Sequence, residues 1–182
     1  KIANQRNAPL YIAKKHEKIE FQYMNGTYQQ QNKDIALTTI STLKNRRFLV
    51  SKKSIGFLRT LKKYNSINIT ENQIINGIKK TKWKGRLEFL SKNVLVDCAH
   101  NPDGFITLKK ELSIIKRQKH IKNFIFVVGI QNDKDAISML KTINPLISAI
   151  IFTKSNNVKA LNPQKLLNMF NKVNKKGSII KK

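Results

Sequence analysis

The chain is short of cysteine, acid and long apolar runs, and each shortage excludes something. A single cysteine, Cys98, cannot close an internal disulfide and offers no Cys-rich zinc pattern, so a reducing, intracellular setting is the expectation. No apolar run approaches the length that crosses a bilayer, and Lys1-Ile2-Ala3-Asn4-Gln5-Arg6 lacks the apolar centre of a secretion signal. A cytoplasmic protein with no membrane partner is therefore expected. The chain also opens without Met, which reads as a piece whose start lies upstream. It has no internal repeat and no low-complexity linker. Only 10 acidic residues stand against 36 basic ones, a formal net charge of +26. That excess invites a nucleic-acid or anionic-surface reading. Against it, thirty of the basic residues are Lys and only six are Arg, scattered through almost every segment. Specific phosphate and base contacts favour the Arg fork. Lys, Asn and Ile abound together, as in A+T-rich coding, so compositional drift explains the charge better than a selected nucleic-acid surface.

What is present suffices for a core: 182 residues, 40% of them hydrophobic, allow one or two small domains. Pro9–Ile12 and Ile19–Met24 read as short strands, with Ile19, Phe21 and Tyr23 on one face. Gly26-Thr27-Tyr28-Gln29-Gln30-Gln31-Asn32 leads into a helix over about 31–44, with Ala36, Ile40 and Leu43 at helical spacing. Ser54 can cap a short helix carrying Ile55, Leu58 and Leu61. Thr70-Glu71-Asn72-Gln73 is a capping-box pattern opening a helix with Ile74, Ile75 and Ile78. Beyond Lys82 the pattern changes to alternating strand and helix. Strands are expected at 94–98, 124–128 (fully buried) and 148–153. The helices between them fall at 103–117 with Phe105, Leu108, Leu112 and Ile115 inward, at 134–143 with Ala136, Ile137, Leu140 and Ile143, and at 163–173 with Leu166, Leu167, Phe170 and Val173. Continuous apolar strands alternating with amphipathic helices predict a parallel sheet. The fold class is α/β: the tail of one α/β domain over 1–82, then most of a Rossmann-like domain over 83–182, with further strands expected beyond its end.

In a parallel sheet, ligands collect past the carboxyl ends of the strands. Asp97-Cys98-Ala99-His100-Asn101-Pro102 occupies that place after the first strand of the second domain. Asn101 can cap the next helix and Pro102 suits its first turn. That helix start favours an anion. Asp97 could accept from ribose hydroxyls, and His100 could donate to a phosphate or polarise a carbonyl. Equally, Asn101-Pro102 could be a plain cap and Asp97 a buried acceptor. Arg86 follows Gly85, where the backbone has extra freedom, and suits a phosphate brought near by domain closure; otherwise it is a surface Arg paired with Glu88. Asn32 and Gln29 could read an adenine edge or simply cap their helix. Lys134-Asp135, after Gly129, could contact phosphate or glutamate, while His16 and His120 read as surface residues. There is no nucleophile triad and no closed metal site.

Together these segments resemble the folylpolyglutamate synthase and dihydrofolate synthase family of the Mur ligase superfamily, C-terminal portion only. Gly26-Thr27-Tyr28-Gln29-Gln30-Gln31-Asn32 is similar to the family's Gly-x-His-Gln-x-x-Asn, and Trp83-Lys84-Gly85-Arg86-Leu87-Glu88 to its Trp-Pro-Gly-Arg-x-Glu. Asp97-Cys98-Ala99-His100-Asn101-Pro102 resembles Asp-Gly-Ala-His-Asn-Pro, the most specific of the matches. Gly129 with Asp133-Lys134-Asp135, and Lys159-Ala160-Leu161-Asn162-Pro163, follow in the family's order. The resemblance implies a partial Mur-ligase central domain followed by a Rossmann-like C-terminal domain with a mainly parallel sheet and flanking helices. It implies an ATP- and Mg²⁺-dependent ligase of folate biosynthesis and one-carbon metabolism. ATP phosphorylates a pteroate or folate carboxylate, and the amine of L-glutamate attacks the acyl phosphate. Asn32 would contact adenine, Arg86 the phosphates, and Asp97 and His100 would hold nucleotide or stabilise transferred charge, so Arg86 and His100 are the catalytic candidates. Phosphoryl transfer needs such positioning and neutralisation more than covalent help. A monomer is expected.

The departures are specific. Tyr28 stands where His is usual, Cys98 where Gly is usual, and Lys84 in place of Pro. The sequence has no Gly-x-x-x-x-Gly-Lys-Ser/Thr loop, and the family's Mg²⁺ ligands lie in an N-terminal domain outside these residues. Gly177-Ser178-Ile179-Ile180 is a poor echo of the family's Gly-Ser-Leu-Tyr-like closing strand. The chain alone is not expected to catalyse ligation. A Lys-rich nucleic-acid-binding module, or a Mur-type ligase for another amino acid, are the alternatives.

Overall fold

The computed structural model describes residues 2–45, 69–174 and 179–181 and divides into two compact units, Lys1–Asn93 and Val94–Lys182. The helix expected from Ser54, with Ile55, Leu58 and Leu61, lies outside the described residues, as do Gly177 and Ser178.

In the first unit, α1 is Ile2–Gln5, α2 is Gln29–Asn45, α3 is Glu71–Lys79 and β1 is Glu88–Ser91. The capping box is present as the sequence predicts: Thr70 Oγ1 accepts from the Gln73 N–H, and Gln73 Oε1 accepts from the Thr70 N–H. Ile74, Ile75 and Ile78 are half-buried on one face of α3. The strands expected at Pro9–Ile12 and Ile19–Met24 do not form. From Lys14 to Ile19 side chains of α2, rather than a neighbouring strand, satisfy the backbone, and beyond it the Gln22 N–H donates to the Lys79 carbonyl at 2.9 Å. Thr38 Oγ1 accepts from the Lys14 N–H, Asp34 Oδ1 from the His16 N–H, and Gln30 takes both the N–H and the carbonyl of Ile19. Gln30, Asp34 and Thr38 recur every four residues, on one helix face. Lys33 completes the ladder. Its buried ammonium donates to the carbonyls of His16 and Glu17 and pairs with Asp34 at 3.1 Å. Partial burial pushes the Asp34 carboxyl up, but the His16 N–H and the Lys33 ammonium hold it below the usual carboxylate range. Consequently the inward face of α2 runs through Gln29 and Lys33, while Ala36 and Leu43, expected inward, are exposed.

The second unit contains β2 (Val94–Val96), α4 (Pro102–Gln118), β3 (Phe124–Val128), α5 (Ala136–Ile143), β4 (Ile147–Phe152), α6 (Pro163–Val173) and β5 (Ile179–Lys181). The sheet has the order β3-β4-β5 and both pairings are parallel, with Ile125 opposite Ala149 and Ala149 opposite Ile179. β2, expected in the same sheet, is not one of its strands; it is three residues long, and beyond it the chain turns on a side-chain bond from Asp97. Asn101 and Asn162 cap α4 and α6 through their side chains, each followed by Pro at the first helical position. Asp135 caps α5 by accepting from the Ser138 N–H, and its hydrogen bonds to Ser138 hold its carboxyl below the usual range.

Helix α4 packs on α5, α5 on α6, and α6 on β4. Phe105, Val128, Met139, Leu140, Ile143, Ile150, Leu166 and Phe170 close one core, with Phe152 edge-on to Phe170 at 5.8 Å. Met139, not Ile137, takes the inward place on α5, because 136, 139, 140 and 143 form the helical stripe. β3 is not buried on both faces as expected: Ile125 is 71% and Val127 67% exposed, since the core helices cover the side of Phe126 and Val128. An apolar run looks the same whether one face or two are covered. Phe170→Ala should cost about 3–5 kcal/mol in urea unfolding, whereas Val127→Thr should change stability by less than about 0.5 kcal/mol. Equal costs would contradict a one-sided core.

Candidate functional site

Two of the motifs meet within the first unit. Gly26 has φ +103°, a region L side chains avoid. A Cβ there would lie 2.6 Å from Tyr28 Cε1 and 2.8 Å from Leu87 Cδ1, so Leu87, 1% exposed, occupies the space that only glycine leaves. Asn25 Nδ2 donates to the Leu87 carbonyl at 3.0 Å, tying the same two segments by hydrogen bond. On the Leu87 side, the chain turns through two left-handed residues, Gly85 (φ +71°) and Leu87 (φ +47°). The Glu88 carboxylate closes this turn by accepting from the Gly85 N–H at 2.7 Å. Glu88 therefore serves the backbone, and the ion pairs found among the described residues do not include Arg86 with Glu88. Arg86 sits half-buried between the two left-handed residues.

Helix α2 starts directly after Gly26, with the Gln29 N–H donating to the Gly26 carbonyl. Asn32 is exposed, and its Nδ2 donates to Gln29 Oε1 at 2.9 Å. Gln29 is 2% exposed, and its Nε2 is buried with no hydrogen-bond partner. A buried amide nitrogen without an acceptor is costly, and of the two amides only that of Asn32 is open to solvent.

In the second unit, the loop after β2 is organised by its own polar side chains. Asp97 Oδ1 accepts from the Ala99 N–H at 2.8 Å, an Asx turn. Asn101 Oδ1 accepts from the Gly104 N–H at 2.7 Å. His100 Nδ1 lies 3.1 Å from the Cys98 carbonyl, which can only accept, so Nδ1 carries the hydrogen and Nε2 is the outward nitrogen of the exposed ring. Asp97 and His100 are thus neighbours on one turn at the amino end of α4, with the first carboxylate oxygen engaged by the backbone. Lys134 pairs with Asp133 at 3.0 Å, and that bond is the main reason the Asp133 carboxyl lies below its usual range. Among the described residues no cluster of His, Cys, Asp and Glu could hold a metal, and no helix is long and apolar enough to cross a membrane.

Sequence reasoning missed Leu87 and Gly104. Leu87 carried no signal, because a left-handed leucine is visible only in coordinates. Gly104 was legible in principle: it lies three residues past the Asn101 cap, and a Cβ there would crowd Asn101 Oδ1 at 3.0 Å and Ala99 Cβ at 3.3 Å. Gly26→Ala should destabilise the first unit by at least about 1–2 kcal/mol in urea unfolding, from φ alone. A change near zero would show that the Gly26–Leu87 approach is dispensable.

The chain's likenesses accord with this geometry. Residues 85–182 match the family model for the Mur ligase glutamate ligase domain. The chain is 28% identical over 142 residues to a probable dihydrofolate synthetase of Schizosaccharomyces pombe, covering 76% of this chain and 29% of that protein. Among solved structures, a folylpolyglutamate synthase of Thermotoga maritima superposes with TM-score 0.62 at 21% identity, over 99% of this chain and 42% of the other. A Mycobacterium tuberculosis folylpolyglutamate synthase complexed with ADP gives TM-score 0.60 at 20% identity, over 82% and 28%. The chain spans about three-tenths of the length of the curated relative. Because the family model covers more than half of the chain, the chain belongs to the Mur ligase family, in its folylpolyglutamate and dihydrofolate synthase branch.

Proposed function

We propose that this chain is part of an ATP-dependent ligase that adds L-glutamate to a dihydropteroate or folate carboxylate through an acyl phosphate. ATP, when bound, supplies the phosphoryl group that turns the carboxylate into a leaving-group-bearing acceptor for the glutamate amine. The chain's own residues bind and orient. Asn32 reads the adenine edge, and Arg86 neutralises phosphate charge with a guanidinium that matches phosphate oxygens. Asp97 accepts from ribose hydroxyls, with its carboxylate fixed by the Ala99 N–H. His100 offers Nε2 as a donor to transferred charge when its ring is protonated. Magnesium ligands and the phosphate-binding loop come from outside these residues, so the chain by itself does not ligate. The enzyme works in the cytoplasm as a monomer. The 1–82 portion is the end of the ATP-binding central domain and 83–182 the glutamate ligase domain.

The observation that supports this reading most is the packing of Leu87 on Gly26, which sets the Asn32-bearing helix and the Arg86 turn side by side in one unit.

The test is reconstitution: the chain joined to a family N-terminal domain that carries the phosphate loop, assayed for ATP- and glutamate-dependent product. Arg86→Ala should lower kcat/KM by about a hundredfold or more, as loss of a charge-stabilising donor does. An unchanged rate would remove Arg86 from the site. Product formed equally well with another amino acid would reassign the substrate within the Mur ligases.

A further inference from the structure

Tryptophan is a largely buried residue type, yet the chain's one tryptophan, Trp83, is 66% exposed. It lies in the run Lys79-Lys80-Thr81-Lys82-Trp83-Lys84, in which every residue is exposed. A run of charge is ordinarily a solvated face, and two further observations set this one apart. Lys82 Nζ lies 5.7 Å from the centroid of the Tyr23 ring, a cation–π distance, and Tyr23 is itself 56% exposed. The backbone holds the two segments together, because the Gln22 N–H donates to the Lys79 carbonyl at 2.9 Å. Two exposed rings and four lysines thus share one neighbourhood of the first unit. No acid stands in the sequence from Asn72 to Leu87, and the Glu88 carboxylate is turned to the Gly85 N–H. The ion pairs found among the described residues, Lys33–Asp34 and Lys134–Asp133, involve none of these lysines.

We propose that this surface binds single-stranded polynucleotide, with phosphates on Lys80, Lys82 and Lys84 and bases stacked on Trp83 and Tyr23. Lys79 is left out because it sits in the last turn of α3, where it complements the carboxyl end of the helix. A single strand offers what the surface asks for: phosphates for the ammonium groups and unstacked bases for the rings. A duplex offers the phosphates but keeps its bases stacked on one another, so the rings gain nothing from it. A membrane would need apolar anchors beside the rings. Ile74, Ile75 and Ile78 of α3 are half-buried, and Gln22, Asn25 and Thr81, near the rings in sequence, are polar and exposed. Stacking on an aromatic ring tolerates any base, so the surface carries no sequence preference. The lysines scattered elsewhere add attraction at a distance, whereas the rings make the contact. The inference stands on exposure and charge and does not draw on the ligase reading.

As the one tryptophan, Trp83 reports on this spot directly. The 182-residue chain is titrated with oligouridylate and oligothymidylate of about twelve nucleotides while tryptophan emission is followed. Quenching by either supports the proposal, and the tighter binder names the sugar. Trp83→Leu should weaken binding of a labelled oligouridylate about tenfold, the effect of losing one stacked base, with far-UV circular dichroism unchanged. Tyr23→Leu tests the second ring and decides the matter if the Trp83 variant fails to fold. Lys80→Gln with Lys84→Gln should make the dependence of log affinity on log salt shallower by about 1.4. Lys110→Gln with Lys165→Gln removes the same charge from exposed places in the second unit and should leave that slope as in wild type. Equal slopes for the two pairs would mean diffuse charge and overturn the proposal. So would duplex or inorganic polyphosphate that binds as tightly as the single strand, or phosphatidylserine vesicles that bind more tightly and shift the emission to the blue. ATP that alone gives the full quench and blocks the oligonucleotide would place Trp83 in a mononucleotide site instead. Loss of oligonucleotide binding leaves the ligase reading untouched, since that reading is tested by reconstituted product formation.

Discussion

Leu87 fills the space beside Gly26 that any other residue would occupy, and the candidate site hangs on that one steric fact. Glycine permits the positive φ that turns the chain into α2, and the missing Cβ admits Leu87. Leu87 in turn accepts a left-handed conformation, which costs roughly 1–2 kcal/mol for a side-chain-bearing residue. Its burial and the Asn25 bond to its carbonyl offset that cost. Strain held at such a point tends to mark a place where geometry matters more than stability. Here the geometry carried is the spacing between an amide-bearing helix start and an arginine-bearing turn.

The two units use polar side chains in contrasting ways. In the first, α2 spends Gln30, Lys33, Asp34 and Thr38 on the backbone of the segment before it, so a helix face does the work of a strand partner. A buried ammonium held by carbonyls and a carboxylate is stable only while those partners stay in place. In the second, Asp97, Asn101, Asp135 and Asn162 each shape a turn or cap the helix that follows, Ser148 and Asn144 reach the more distant carbonyls of Phe124 and Val173, and an apolar core does the rest. The helices sit on one face of the parallel sheet, whereas such sheets are ordinarily covered on both. Ile125 and Val127 are the visible consequence.

This contrast explains what could be read from residues alone. The second unit was legible because its strands are short apolar runs and two of its helices, α4 and α6, have Asn caps followed by Pro; α6 at 163–173 was read to the residue. The capping box at Thr70 was legible for the same reason: it is a local code. The strands expected at 9–12 and 19–24 were misread because alternation at Ile19, Phe21 and Tyr23 signals a half-buried extended chain, and nothing in that pattern names the partner. Exposure of Ile125 was hidden because periodicity reports apolarity, not coverage. In the site, the Gln29–Asn32 bond lies at helical spacing and follows from sequence once the helix is placed. The Asn25–Leu87 tie, 62 residues long in sequence, does not.

The central claim is that the Gly26–Leu87 contact makes the start of α2 and the Arg86 turn a single nucleotide-facing surface. The most direct measurement is a ¹⁵N-resolved NMR titration of the chain with ATP, following backbone amides and the side-chain amides of Gln29 and Asn32. The account predicts that residues 26–32 and 85–88 shift together along one saturation curve, with the Asn32 side chain among the largest changes. Shifts confined to scattered lysines and abolished by moderate salt, or curves for the two segments that saturate separately, would contradict it.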